Sequence, residues 1–297
     1  MRTTLTLALI CLALTACGGS SADPDVTGEG YDGLVTLSAV GAGEQRTLRY
    51  DLAEGDTGQA VMTFAMTLSQ ELDGVPMVNS ETVDYSMVIE YEVTAVSAAG
   101  DYDVAARFVE IDADPLMRDA LAPMMGMEFA QTMSPRGEIL DVSFSLPPGF
   151  DPALNTMLEQ MSDQVDDLAE PLPLEPVGVG ATWSHSKTAD MGGLESTMVT
   201  SYEVTGFDGD LVLLAMSMEV TDFREEMKTP GMPAGVEVLI TDYQQTVNGT
   251  NELDLSRPFV SSSTATSTML MKMHVERDGQ SLDMEQNMTM EMTVTER

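Results

Sequence analysis

Cysteine, histidine and aromatic residues are scarce in this 297-residue chain, which has two Cys, two His and only 5% Phe, Trp and Tyr together. Cys11 lies in a short apolar leader, so no disulfide framework can be built from Cys11 and Cys17 once that leader is removed. The histidines, His185 and His274, fall short of the three or four ligands of a zinc centre. Positive charge is also scarce: 13 Lys and Arg face 49 Asp and Glu, for a formal charge of -36. Such a surface cannot release counterions from phosphates and is repelled by anionic head groups, which excludes nucleic acid as a partner. It suits a salt-screened, solvated setting such as a saline habitat. Methionine, by contrast, is abundant at 25 residues, several times ordinary usage. With so few aromatics, the expected core is aliphatic and thioether.

The apolar run from Leu5 to Ala16 is too short to span a bilayer as a helix. Arg2 precedes it, and Leu14-Thr15-Ala16-Cys17 closes it, with Gly18-Gly19-Ser20-Ser21 following at once. This arrangement resembles a lipoprotein signal peptide with its lipobox. The resemblance implies cleavage after residue 16, lipid attachment at Cys17, and a mature chain whose one cysteine is blocked. Two or three acyl chains hold a protein stably where one would be reversible. Gly18, rather than Asp, after the cysteine implies sorting to the outer membrane, with the body outside the cytoplasm. Residues 17–33, rich in Gly, Ser, Asp, Pro and Glu, read as the acylated cysteine and a flexible tether spanning roughly 20 Å.

From about Leu34 the apolar residues alternate. Met62, Phe64, Met66 and Leu68 form one series, Met87, Ile89, Tyr91 and Val93 a second, Met269, Met271, Met273 and Val275 a third, and Met288, Met290, Met292 and Val294 a fourth. A period of two predicts half-buried strands. Asp73-Gly74 and Asp278-Gly279 between successive series predict hairpin turns. Tyr91-Glu92-Val93-Thr94 recurs as Tyr202-Glu203-Val204-Thr205, each followed within a few residues by Gly-Asp (Gly100-Asp101 and Gly209-Asp210), and Leu140-Asp141-Val142-Ser143 is matched by Leu253-Asp254-Leu255-Ser256. Offsets near 110 residues suggest two related halves, 34–170 and 171–297, with the C-terminal hairpin completing the second.

Helices are expected between the halves. Asp151 and Pro152 open one whose face carries Leu154, Met157, Leu158, Met161, Val165 and Leu168, and a second is expected from Pro115 to Met133, divided by Pro123 and Gly126. Pro171-Leu172-Pro173-Leu174-Glu175-Pro176 reads as an extended linker. The predicted fold is mainly β, a β-rich α+β protein of two similar, antiparallel, strongly curved sheet units with long hairpins and a few intervening helices.

Leu48-Arg49-Tyr50, Gly55-Asp56-Thr57, the segment from Gly137 to Asp141, and the Pro-rich lead into Val179-Gly180-Ala181-Thr182-Trp183 resemble an uncharacterised family of bacterial lipoproteins with a domain of unknown function. Members more often carry Asp where Ala181 stands. The resemblance implies an envelope lipoprotein and brings no catalytic residues.

Motifs for chemistry are weak. Ser184-His185-Ser186-Lys187 has Ser-x-x-Lys spacing, but on a strand those two side chains point to opposite faces. Asp112, Asp114, Asp166 and Asp167 lack the spacing of an EF-hand. We therefore expect no enzyme, no catalytic residue, no metal site and no cofactor. The methionines leave three readings open: adaptable core packing, a face for a hydrophobic ligand, or copper(I) held by thioethers. The candidate apolar binding face comprises Met62, Phe64, Met66, Met87, Ile89, Met269, Met271, Met273, Met288, Met290 and Met292. The partners it implies are the membrane, through Cys17, and a hydrophobic small molecule or an envelope protein; the rival is a structural lipoprotein with a solid, Met-rich core.

Overall fold

A computed structural model describes residues 35–145, 170–190, 195–221, 226–227, 236–277 and 280–297. The strands are β1 (Val35–Arg46), β2 (Thr57–Leu72), β3 (Val75–Val96), β4 (Tyr102–Ala113), β5 (Glu128–Met133), β6 (Ile139–Ser145), β7 (Val177–Asp190), β8 (Glu195–Asp208), β9 (Leu211–Thr221), β10 (Glu226–Met227), β11 (Val236–Asp254), β12 (Ser262–Arg277) and β13 (Gln280–Glu296). All belong to one 13-stranded sheet, ordered β1-β7-β8-β9-β11-β12-β13-β2-β3-β4-β5-β6, with β10 on β11. Every pairing is antiparallel.

The two expected sheet units are thus one continuous sheet. The terminal strands join it: β13 inserts between β12 and β2, and β1 caps β7. Tyr91-Glu92-Val93-Thr94 and Tyr202-Glu203-Val204-Thr205 share more than sequence. In each, the ladder shifts register after the buried valine, and the threonine hydroxyl donates to a carbonyl on the next strand, Thr94 to Asp103 and Thr205 to Leu213, both at 3.1 Å. The other match falls on strands with different places in the sheet, Leu140–Ser143 on the edge strand β6 and Leu253–Ser256 at the end of the interior strand β11.

Asp73-Gly74 forms the two-residue turn between β2 and β3, with both residues at positive φ, 51° and 73°. That geometry matches a primed turn, which suits the twist of a hairpin. Asp278-Gly279 and the helix expected from Asp151 lie outside the described residues. The helix expected over Pro115 to Met133 is real only at its start: α1 (Pro115–Leu121) runs into a short 3-10 turn, Ala122–Met124, and then β5 begins. Phe129, Gln131 and Met133 are buried in alternation, so a period of two wins over helical spacing there.

The curvature of the sheet follows from two adjacent backbone amides. Tyr50 N–H donates to the Pro135 carbonyl and Asp51 N–H to the Leu255 carbonyl, each at 2.8 Å. Those carbonyls lie just beyond β5 and β11, six strand steps apart, roughly 29 Å on a flat sheet at about 4.8 Å per step. Neighbouring amides can reach carbonyls only about 10 Å apart. The sheet therefore curls, and the connector 47–56 runs inside the curl.

One main core fills this end. It gathers Leu48, Tyr50 and Leu52 with Tyr91, Tyr102, Phe108, Phe129, Trp183, Tyr202 and Phe259. Aliphatic and thioether side chains make up most of this core, as expected, and the few aromatics are concentrated within it. The ring of Tyr91 meets Phe259 edge-on at 5.2 Å, and Trp183 stacks on Tyr202 at 5.4 Å. Beyond this core the central strands continue. From Met62 to Leu72 is ten residues, about 33 Å at strand rise.

Gly137 shows how tightly the connectors pack. It has φ 79°, and a Cβ there would lie 2.3 Å from the Glu170 carbonyl oxygen. Gly126 has a similar φ, 74°, with no atom within 4 Å of such a Cβ. Gly126→Ala should cost only the left-handed backbone penalty, about 1–2 kcal/mol, and Gly137→Ala at least about 2 kcal/mol more, read from urea unfolding. Equal costs would mean that the contact yields freely.

Candidate functional site

Cross-strand register places the candidate face. Side chains directly opposite in neighbouring strands share a face, and so do alternate residues along each strand. At the curled end, Asn251, Ser263, Val294, Met62 and Met87 form one row. Moving away from it, Ala265, Met292, Phe64 and Tyr85 form the next, followed by Ser267, Met290, Met66 and Val83. Then come Gln245, Met269, Met288 and Leu68, next Tyr243, Met271, Gln286 and Gln70, and finally Ile240, Met273, Met284 and Leu72. All eleven candidates except Ile89 stand in these rows; Ile89, two residues past Met87, continues the same face and is buried.

Packing divides the candidates. Met62, Met87 and Ile89 belong to the main core, and Phe64 packs against it, stacked on Tyr85 at 4.7 Å. Met66, Met269 and Met288 form a separate cluster with Leu68, and Met271 and Met273 another with Ile240. Tyr243 borders both clusters. Met290 and Met292 are half-buried. The apolar face is therefore graded, with an aromatic-rich end and a methionine-rich end.

Toward the free end the face opens. Met269 is 3% exposed, whereas Leu282, opposite Val275, is 41% exposed, and Val75, opposite Leu72, is 61% exposed. Met77 beside it is equally exposed. The Met288 series also runs further back along β13 than the candidate list takes it. Met284 and Gln286 continue its alternation on the same face, which places an amide between two inward methionines.

At the curled end, residues with no catalytic motif build a buried polar knot. Glu170 N–H donates to the Tyr50 hydroxyl at 3.2 Å, Asn251 donates its amide N–H to the Glu170 carboxylate, and Ser263 Oγ donates to Asn251 Oδ1 at 2.7 Å. Tyr102 Oη donates to the Tyr50 carbonyl at 2.7 Å, tying β4 to the connector. Burial, reinforced by the neighbouring Glu170 carboxylate, raises the Tyr50 hydroxyl well above its ordinary pKa, so it stays protonated. Arg136 pairs with Glu138 at 3.1 Å, its Nε donates to the Leu172 carbonyl, and Leu172 N–H returns to the Arg136 carbonyl at 2.8 Å. Arg49 donates to the carbonyls of Pro173 and Leu174 at 2.8 and 2.9 Å, and Trp183 Nε1 donates to that of Pro171 at 2.9 Å. The first half of the expected linker, Pro171-Leu172-Pro173, is thus interior, with Leu172 fully buried, while Leu174, Glu175 and Pro176 are exposed. The segments around Arg49-Tyr50, Gly137 and Trp183, far apart in sequence, meet here.

The described residues of this knot include no histidine and no cysteine. Ser184 and Lys187 lie on β7 as a strand. His274 pairs with Asp283 at 2.6 Å near the free end. Asp114 accepts the Asp84 N–H, and Asp166 and Asp167 lie outside the described residues. No group of three or more His, Cys, Asp or Glu among the described residues could hold a metal ion. An open depression of about 700 Å³ over β2 to β6 includes Gln59, Glu90, Arg107 and Glu128, with Arg107 2.7 Å from Glu90, and includes none of the candidate methionines. No family model matches the chain, and no curated protein matches it.

The knot yields a contrast in buried amides. Asn251 serves Glu170 and Ser263, whereas both amide atoms of the buried Gln131 lack a hydrogen-bond partner among the described residues. Asn251→Leu should destabilise by about 3 kcal/mol, because it removes the buried bonds that Glu170 and Ser263 make with it, while Gln131→Leu should be neutral or stabilising in the same denaturation assay. The reverse order would remove the knot from the stability account.

Proposed function

We propose that this protein is a non-enzymatic lipoprotein of the bacterial envelope, anchored through Cys17, most simply in the outer membrane, that holds a hydrophobic ligand on the methionine-rich inward face of its long strands. The observation that carries the reading is the change at the free end of that face, where buried Met269, Met271 and Met273 give way to exposed Leu282 and Val75. A site that admits an apolar molecule needs a mouth in solvent and a lining that can rearrange. Unbranched thioether side chains supply the second. The aromatic core and polar knot at the other end supply a rigid base, as ligand sites require. The Leu14-Thr15-Ala16-Cys17 lipobox supports the location.

A solid, purely structural core is the rival, favoured by the deep burial of Met66, Met271 and Met273. Native mass spectrometry of the mature chain with Cys17→Ser, exported and purified without detergent, separates the two. The binding reading expects extra mass that is lost on denaturation and lies in the range of a lipid; a copper-sized increment would assign the thioethers to the metal instead. An apo mass unchanged by envelope lipids and by copper(I) would overturn ligand binding.

Substitution distinguishes the readings independently. Met271→Leu should change stability by less than about 1.5 kcal/mol on either view. For a ligand face, Met271→Asp should leave a folded protein, checked by circular dichroism, that no longer retains ligand; for a solid core it should unfold the chain.

A further inference from the structure

Two side-chain amides interrupt the methionine strip. Gln286 is 1% exposed and Gln70 is 9% exposed, and they lie opposite each other on β13 and β2. Gln70 Nε2 donates to Gln286 Oε1 at 3.5 Å, the outer limit for such a bond. Nε2 of Gln286 has no hydrogen-bond partner among the described residues. On the same face its neighbours are Met271 across the ladder and Met284 and Met288 along β13. An apolar residue would fill that place without burying the unpaired Nε2 N–H, at the cost of the long bond from Gln70. The nearby Gln245 is different: Tyr243 Oη donates to its Oε1 at 2.6 Å, and its Nε2 donates to Ser267 Oγ at 3.4 Å.

Charge narrows what the Gln286 N–H could meet. The described side chains of these inward rows are apolar, amide or hydroxyl. The nearest cations, Lys272 and His274, alternate onto the opposite face, where Lys272 lies 3.9 Å from Asp242 and 3.8 Å from Glu285, and His274 pairs with Asp283. Among the described side chains of these rows, a ligand carboxylate beside Gln286 would find no countercharge, in a chain carrying a formal charge of -36. An uncharged carbonyl oxygen would accept the N–H without that cost.

Resting on the ligand-binding reading above, we propose that the methionine-rich face takes a neutral acyl glycerol, with its chain along Met269, Met273, Met284 and Met288 and its ester carbonyl accepting from Gln286 Nε2. The matched probes are 1-dodecanoylglycerol, its ether analogue 1-dodecylglycerol, which lacks only the carbonyl, and dodecanoate. Each is titrated below its micelle concentration into the delipidated mature chain with Cys17→Ser, in isothermal calorimetry.

The ester should bind about tenfold more tightly than the ether, and more tightly than dodecanoate. Gln286→Leu should abolish the ester's advantage, leave ether binding unchanged, and melt no lower than the parent without ligand, since removal of the unpaired Nε2 N–H offsets loss of the long 3.5 Å bond from Gln70. Equal ester and ether affinity in the parent, an ester advantage that survives Gln286→Leu, or tighter binding of dodecanoate would overturn the role of Gln286 while leaving a hydrophobic site in place. If no probe binds at all, the ligand-binding reading fails with it.

Discussion

Tyr50 and Asp51 place consecutive backbone amides on carbonyls at Pro135 and Leu255, and the rest of the architecture depends on that bridge. An antiparallel sheet of this breadth coils through its own twist, and the bridge fixes that curl where parts six strands apart approach one another. Backbone groups buried inside the curl must be paired, and here they are paired with opposite parts of the sheet wall. Glu170, Asn251, Ser263 and Arg136 complete the same task for the second connector, which passes through the interior as Pro171-Leu172-Pro173. Because these bonds are buried, losing one partner leaves another unsatisfied, so the network resists partial opening.

This constraint acts at one end only. The aromatic rings pack around the connectors, where their bulk fills a fixed volume, while the long strands β11, β12, β13, β2 and β3 run on for roughly ten residues carrying methionine, glutamine and small aliphatic side chains. Met269, Met271, Met273 and Met288 sit within clusters separate from the main core. Methionine packs adequately in many arrangements and specifies none strongly, so a region built from it can reshape at modest cost. One sheet thereby combines an over-determined base with an adaptable extension, and that division underlies the ligand-binding proposal.

Much of this is legible in the chain. The alternating series at Met62, Met87, Met269 and Met288 are strands, and Asp73-Gly74 is the turn between the first two, because period-two patterning and turn chemistry are local properties. β5 reads wrongly as helix because Pro115 to Met124 does begin helically, and the change of period at Glu128 spans only six residues. The continuity of the sheet is not readable: pairing β13 with β2 joins residues more than 200 apart, a choice made by tertiary packing. The knot is less legible still. Glu170 and Arg136 are ordinary residues in sequence, and only the fold buries them. Gln286 leaves a trace, since extending the Met288 series two residues back puts an amide on an apolar face.

Amide hydrogen exchange on the mature chain tests the division most directly. Amides of the connectors, at Tyr50, Asp51 and Leu172, should exchange only through global unfolding, while those of Met269–Val275 and Leu282–Met288 should exchange through local openings at least about 2 kcal/mol cheaper. Equal protection at the two ends would mean a uniformly rigid sheet and would contradict the account.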